Sequence, residues 1–211
     1  MVDRLNPLLI VEHRINTCAA LERVPAHHGV EIDVRDYDGA LRLVHDPFES
    51  GELLEGFLEA YNHALLIVNV KCDGLEDSVR RLLAARGIEN FFFLDCAAPT
   101  LVRLVRSGER RVAVRFSEFE PLEWVRNFHG RADWVWVDCF TRLPFTESSY
   151  RELAEHYRLC LVSPELQRAP ATRIAEFRAR LVASPVDAVC TDFPDLWTTN
   201  TARVEAIHAD S

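Results

Sequence analysis

Short apolar runs recur along the chain, and the segments between them change to a helical period. The runs are LLIVEH (8–13), VEIDVR (30–35), LLIVNVK (65–71), FFFLD (91–95), RVAVR (111–115), WVWVD (134–138), LCLVS (159–163) and DAVCTD (187–192). Their length and near-continuous apolar character predict eight strands buried on both faces. A ninth run, ALRLVH (40–45), follows the second through Tyr37-Asp38-Gly39, a turn signal, and reads as the return arm of a local hairpin. Helical spacing predicts helices over 75–87, 99–108, 149–157, 172–184 and 201–209, and ELLEGFLEAY (52–61) is also helical in pattern. Strands alternating with helices call for a parallel sheet with crossovers. Eight such units without a Gly-rich phosphate loop predict an α/β chain folded as a closed (β/α)8 TIM barrel, one domain over residues 1–211.

Composition narrows the function classes. A formal charge of −9 argues against a nucleic-acid backbone or an anionic membrane as partner, since both favour basic surfaces. It leaves room for an anionic small molecule, because a bound cation inverts the local field. The six cysteines are scattered with no C-x-x-C pair, which speaks against a zinc or redox site. The N-terminal stretch has no signal-peptide pattern and no apolar run is long enough for a membrane span, so the expected location is the cytoplasm.

In a barrel of this class the active site lies at the carboxyl ends of the strands. Those ends carry His13 and Arg14, Glu31 and Asp33, Asn69 and Lys71, Asp95, Arg115, Asp138, Ser163 with Glu165, and Thr191 with Asp192. A charged residue at one strand end is ordinarily the point where chain meets water; a polar group at every end of one ring is a mouth with chemistry. Strand alternation puts Glu31 and Asp33 on one face, and Asn69 and Lys71 on another shared face. Two carboxylates this close repel each other, and a hard divalent cation, Mg²⁺ or Ca²⁺, held by Glu31, Asp33 and the amide oxygen of Asn69, is the simplest compensation.

His13 and His45 flank that pair, which suits an in-line displacement with one imidazole removing a proton and the other donating one. Lys71 and Arg115 are placed to bind phosphoryl oxygens. The set describes phosphodiester cleavage better than sugar isomerisation or hydride transfer. Of the other histidines, His27, His28, His63, His129 and His156 read as structural, and Trp134 and Trp136 as core. Phe193 and Trp197 read as packing or as pocket lining. Glu165 has no assignable role.

These residues resemble the glycerophosphodiester phosphodiesterase family, within the wider superfamily of phosphoinositide-specific phospholipase C-like barrels. The resemblance rests on EHR, E-x-D followed by a turn and HDP, N-x-K where the family has E-x-K, and the closing TDFPD of residues 191–195. It implies His13 and His45 as the acid/base pair, Glu31 and Asp33 as metal ligands, and Arg14 and Lys71 as phosphate contacts. A substrate hydroxyl attacking phosphorus through a cyclic intermediate is also implied, with a glycerol- or sugar-linked phosphodiester as substrate. The chain departs from the pattern at Ile15, where the family has Gly, and at Asn69, and it lacks the inserted cap after HDP. A barrel of the same superfamily that binds phosphate with an altered site is the alternative reading.

Overall fold

The computed structural model describes residues 7–198, and the helix expected over 201–209 lies outside them. Eight parallel strands form the ring: β1 (Leu9–Glu12), β2 (Gly29–Tyr37), β5 (Leu66–Val70), β6 (Phe91–Leu94), β7 (Ala113–Phe116), β8 (Trp134–Val137), β9 (Arg158–Val162) and β10 (Ala188–Thr191). β1 pairs with both β2 and β10, β5 joins β2 to β6, and β7, β8, β9 and β10 follow in sequence order. Between β6 and β7 the ring closes through a parallel bridge of Phe93 with Val112, where Phe93 N–H donates to the Arg111 carbonyl at 2.9 Å. The expected (β/α)8 barrel is the observed fold.

Alternation along the strands sorts the apolar residues into two cores. Val11, Ile67, Phe92, Leu94, Trp134, Trp136, Cys160, Val162, Ala188 and Cys190 pack inside the barrel. Their neighbours one residue away, such as Ile10, Val68, Phe93, Val135, Leu161 and Val189, pack outward against the helices. That two-sided burial is why the strands read as continuous apolar runs. Gly29 opens β2 where it passes close to both neighbouring strands: a Cβ there would stand 2.9 Å from the Leu65 carbonyl oxygen and 3.0 Å from Val11 Cγ2.

The helical layer includes α3 (Glu76–Ala85), α4 (Ala98–Arg106), α6 (Glu147–His156) and α7 (Arg173–Leu181), within a few residues of the periodic segments. Short helices α1 (Cys18–Leu21), α2 (Leu54–Ala60), α5 (Leu122–Arg126) and α8 (Pro194–Thr198) complete it, with a 3₁₀ turn over Pro164–Gln167. No helix among the described residues is long and apolar enough to cross a membrane.

The hairpin arm is present as β3 (Ala40–Leu43), antiparallel to the upper half of β2 with Tyr37 opposite Ala40 and Val34 opposite Leu43. Its two turn residues, Asp38 and Gly39, have φ of 54° and 71°, as a tight hairpin of right-handed twist demands. A two-residue strand β4 (Glu52–Leu53) extends the arm along β3. β2 therefore outgrows the barrel and its arm returns the chain to the mouth: Val44 N–H donates to the Asp33 carbonyl at 3.0 Å, and His45 follows.

Candidate active site

On β2 the outward residues Val30, Ile32 and Val34 alternate with inward Glu31 and Asp33, which are 1 % and 0 % exposed. Asn69 stands beside Asp33 on β5 in parallel register. Glu31 Oε2 accepts the Arg14 N–H at 2.8 Å, and Oε1 accepts from Asn69 Nδ2 at 2.9 Å. Asp33 Oδ2 accepts from Asn16 Nδ2 at 2.8 Å, while Asn16 Oδ1 accepts the Asp33 N–H at 2.8 Å. Lys71 Nζ lies 3.1 Å from Asp33 Oδ1, an ion pair outside hydrogen-bond alignment. Asn69 Oδ1 is buried without a hydrogen-bond partner. Burial, and then the Asp33 charge, push the Glu31 carboxyl above its ordinary range against the opposing pull of His13, the Arg14 N–H and Asn69.

The first loop is shaped by that carboxylate. Arg14 adopts φ of 54°, a left-handed conformation uncommon for a residue other than glycine, so that its N–H reaches the Glu31 side chain and the next N–H, of Ile15, reaches the Glu31 carbonyl at 2.8 Å. Ile15 packs against the outer core. Arg14 Nε lies 3.9 Å from Asp33 Oδ2 with its side chain half exposed.

Each expected catalytic histidine is held by a carboxylate at Nδ1. His13 Nδ1 is 3.0 Å from Asp192 Oδ1, and His45 Nδ1 is 2.8 Å from Asp46 Oδ1. A carboxylate only accepts when ionised, so both rings carry the proton on Nδ1 and leave Nε2 available. The hydrogen bond from His45, with lesser help from the charges of His45, Arg14 and Arg35, holds the Asp46 carboxyl below its ordinary range. Arg35 locks the neighbourhood: its Nε donates to the His45 carbonyl and its Nη1 to the Lys71 carbonyl, both at 3.0 Å.

The strand ends thus gather His13, Arg14, Glu31, Asp33, His45, Asn69 and Lys71. Arg115 stands across the ring on β7, four strands from β1, and is engaged there by Asp95, Asp138 and Glu120, the last at 3.1 Å. Burial opposes its charge, but these carboxylates hold the guanidinium firmly protonated. Gln167 Nε2 donates to the other oxygen of Asp138 at 2.6 Å. Among the described residues no cluster of three or more His, Cys, Asp or Glu side chains is arranged to hold a metal ion. At the β2–β5 mouth the oxygen donors are two carboxylates and one amide.

The chain matches solved structures over nearly its whole length. It shares 16 % identity and a TM-score of 0.66 with the glycerophosphodiester phosphodiesterase of Agrobacterium tumefaciens str. C58, covering 92 % of this chain and 100 % of that one. A glycerophosphoryl diester phosphodiesterase from Parabacteroides distasonis ATCC 8503 matches at 15 % identity and 0.64, covering 99 % and 88 %. The fold is that of the glycerophosphodiester phosphodiesterases. An Oleispira antarctica phosphodiesterase, in complex with the product sn-glycerol-3-phosphate, matches at 16 % and 0.60, covering 90 % and 94 %. No family model matches the sequence, and no curated protein is significantly similar to it.

On this glycerophosphodiester phosphodiesterase fold, contacts at the mouth give roles to residues outside the expected catalytic, phosphate and metal sets. Asn16 brackets Asp33, Arg35 ties His45 to Lys71, and Asp192 orients His13. Asp46 was open to recognition as the neighbour of His45, and Asp192 as part of the closing motif. Asn16 lies in a loop with no periodic signal, whereas Arg35 follows Glu31 and Asp33 at period two on β2. Trp197, read as packing or pocket lining, is buried and donates its indole N–H to Ser163 Oγ at 2.9 Å, whereas Phe193 is 44 % exposed.

Proposed function

We propose that this single-domain protein is a phosphoric diester hydrolase that cleaves a glycerol- or sugar-linked phosphodiester, with His13 and His45 as general acid and base. The observation that carries the reading is the pair of imidazoles, each fixed at Nδ1 by its own carboxylate, beside the buried Glu31 and Asp33. One imidazole takes the proton of the attacking hydroxyl and the other protonates the leaving oxygen at Nε2. Arg14 and Lys71 bind the non-bridging oxygens, and attack by a neighbouring substrate hydroxyl gives a cyclic phosphate that water then opens. Arg115 is the further phosphate contact of this reading, though its guanidinium is already shared among three carboxylates. The glycerol phosphate held by the Oleispira phosphodiesterase supports a glycerol-linked substrate.

The donor set fits a hard divalent cation, Mg²⁺ or Ca²⁺. Burial, and then the like charge of Asp33, push the Glu31 carboxyl up, and the amide oxygen of Asn69 beside it has no partner. Glu31, Asp33 and Asn69 would hold the ion, which when bound supplies positive charge to the phosphoryl oxygens. The six free cysteines support a reducing, cytoplasmic setting.

Hydrolysis of glycerophosphocholine and of bis(p-nitrophenyl) phosphate, with Mg²⁺ or Ca²⁺, tests the proposal. His13→Ala and His45→Ala are each expected to lose about 10²–10⁴-fold in kcat. Full activity in both variants would overturn the two-histidine mechanism. The second reading, a barrel that binds phosphate without turning it over, draws on Asn69 standing where a third carboxylate would be. Saturable glycerol-3-phosphate binding without hydrolysis of either diester would favour it.

A further inference from the structure

Glu165 stands just beyond β9 in the 3₁₀ turn Pro164–Gln167, and its hydrogen-bond partners are none of the residues proposed to hold a cation. Its side chain is saturated by one neighbourhood. Oε1 accepts from Thr191 Oγ1 at 2.6 Å and from the Asp192 N–H at 3.1 Å, and Oε2 accepts from the Ser163 hydroxyl. Ser163 Oγ in turn accepts the indole N–H of Trp197. Thr191 and Ser163 are completely buried, so these bonds run on the protein side of the mouth.

What the carboxylate grips is the point where β10 ends and Asp192 begins. The Asp192 side chain is itself about half exposed, and what meets it at the mouth is the His13 ring. Its position is set from behind, by the N–H that Glu165 accepts and by the Phe193 N–H that Thr191 Oγ1 accepts at 2.9 Å. The same strand end holds the other partner, since the His13 N–H donates to the Thr191 carbonyl at 3.2 Å. A carboxylate that takes two hydrogens from adjacent residues fixes both the rotamer of the first and the backbone of the second.

We infer that Glu165 is a positioning residue for the His13–Asp192 pair, holding the Thr191–Asp192 turn so that Asp192 keeps the His13 proton on Nδ1. The inference rests on the phosphodiesterase reading for its kinetic consequence, and on hydrogen bonding alone for its structural one. Glu165 touches no reacting atom in this scheme. Its effect passes through Asp192 to the tautomer of His13, and from there to the availability of Nε2.

The test pairs two readouts on the full chain. Ring ¹⁵N shifts of His13, measured without substrate, report the tautomer: the parent is expected to hold the neutral ring as the Nδ1–H form. Glu165→Ala is expected to move the neutral ring toward a mixture, as Asp192→Asn does. With glycerophosphocholine, Glu165→Ala is expected to lower kcat about 10-fold with KM within about 2-fold. Added to Asp192→Asn, it is expected to lower kcat by less than about 2-fold more, because one path is already broken. Glu165→Gln keeps an oxygen for Thr191 and Asp192 and should restore most of the loss.

An unchanged His13 tautomer in Glu165→Ala, or a loss that multiplies fully on Asp192→Asn, overturns the inference. If Glu165→Ala does not fold, Thr191→Val removes one arm of the same grip and is read the same way. A parent that hydrolyses neither diester, yet whose His13 tautomer shifts in Glu165→Ala, sinks the phosphodiesterase reading and leaves the positioning role standing.

Discussion

Two clusters of acidic side chains face each other across the mouth of the barrel, and they are neutralised in different ways. On the β6–β8 side, Asp95, Asp138 and Glu120 surround one guanidinium, and Gln167 fills the remaining oxygen of Asp138. On the β2–β5 side, Lys71 pairs with Asp33 off hydrogen-bond alignment, Glu31 is met by the Arg14 N–H and the Asn69 amide, and the Asn69 oxygen has no partner. Burial raises the carboxyl of Asp138 and that of Glu31 alike, but Arg115 pulls against the first, while a second carboxylate pushes the second further up. Asp138, the fully buried carboxylate of the first side, has both oxygens hydrogen-bonded and is a structural element, even though Glu120 Oε2 beside it has no partner. On the second side Asp33 Oδ1 and Asn69 Oδ1 are both left without hydrogen-bond partners, held in readiness for a ligand.

The largest expected effect separates the clusters by activity. Glu31→Gln keeps the shape and still accepts the Arg14 N–H, while a flip of Asn69 lets its orphaned oxygen accept from the new amide. Hydrolysis is expected to fall about 10²–10³-fold, an effect of the size seen when one electrostatic group of a reacting site is removed. Thermal unfolding should show the variant at least as stable as the parent. A destabilised Glu31→Gln with full activity would make this cluster the structural one.

Arg115→Met is the opposite case and the next largest. It leaves Asp138, 1 % exposed, without its cation. A loss of about 3 kcal/mol is expected in urea unfolding, the low end for breaking a buried pair because the Arg115 side chain is 30 % exposed. A guanidinium that only bound phosphate would instead leave stability unchanged and raise KM, whereas the two roles held together predict the loss of stability with a rise in KM beside it.

The contrast between the clusters was only half legible in the chain. Alternation along VEIDVR and LLIVNVK was enough to place Glu31, Asp33 and Asn69 on inward faces, because a barrel strand has period two and both faces are buried. The Asp-Gly turn likewise announced the arm that returns His45. Pairing was the part that pattern could not supply. Arg115 looked free because its partners come from the end of β6, the end of β8 and the loop after β7. The His45–Asp46 contact joins adjacent residues, but His13 and Asp192 lie 179 positions apart and meet only because β1 pairs with β10. Short elements such as α5 and β4 carry too few residues for a period to register, so they too emerge only from the closed ring.

The smallest expected effect is in the pH dependence of stability, and its sign follows from the Glu31 carboxyl. Its folded-state affinity for a proton exceeds that in the unfolded chain, so the folded protein binds the extra proton. The resulting stability is complete at a pH below the ordinary glutamate range. It is lost as pH rises from there through the raised value of the folded state. Asp138, raised by burial, contributes in the same direction. Unfolding free energy measured across this window should therefore decline with rising pH, and Glu31→Gln should flatten the decline while leaving the Asp138 share. Mg²⁺ or Ca²⁺ should flatten it as well in the parent but not in Glu31→Gln, because an ion that prefers the ionised carboxylate competes with the proton. A decline that survives Glu31→Gln intact would move the strained charge from the β2–β5 mouth to the Arg115 cluster and reverse the roles assigned to the two.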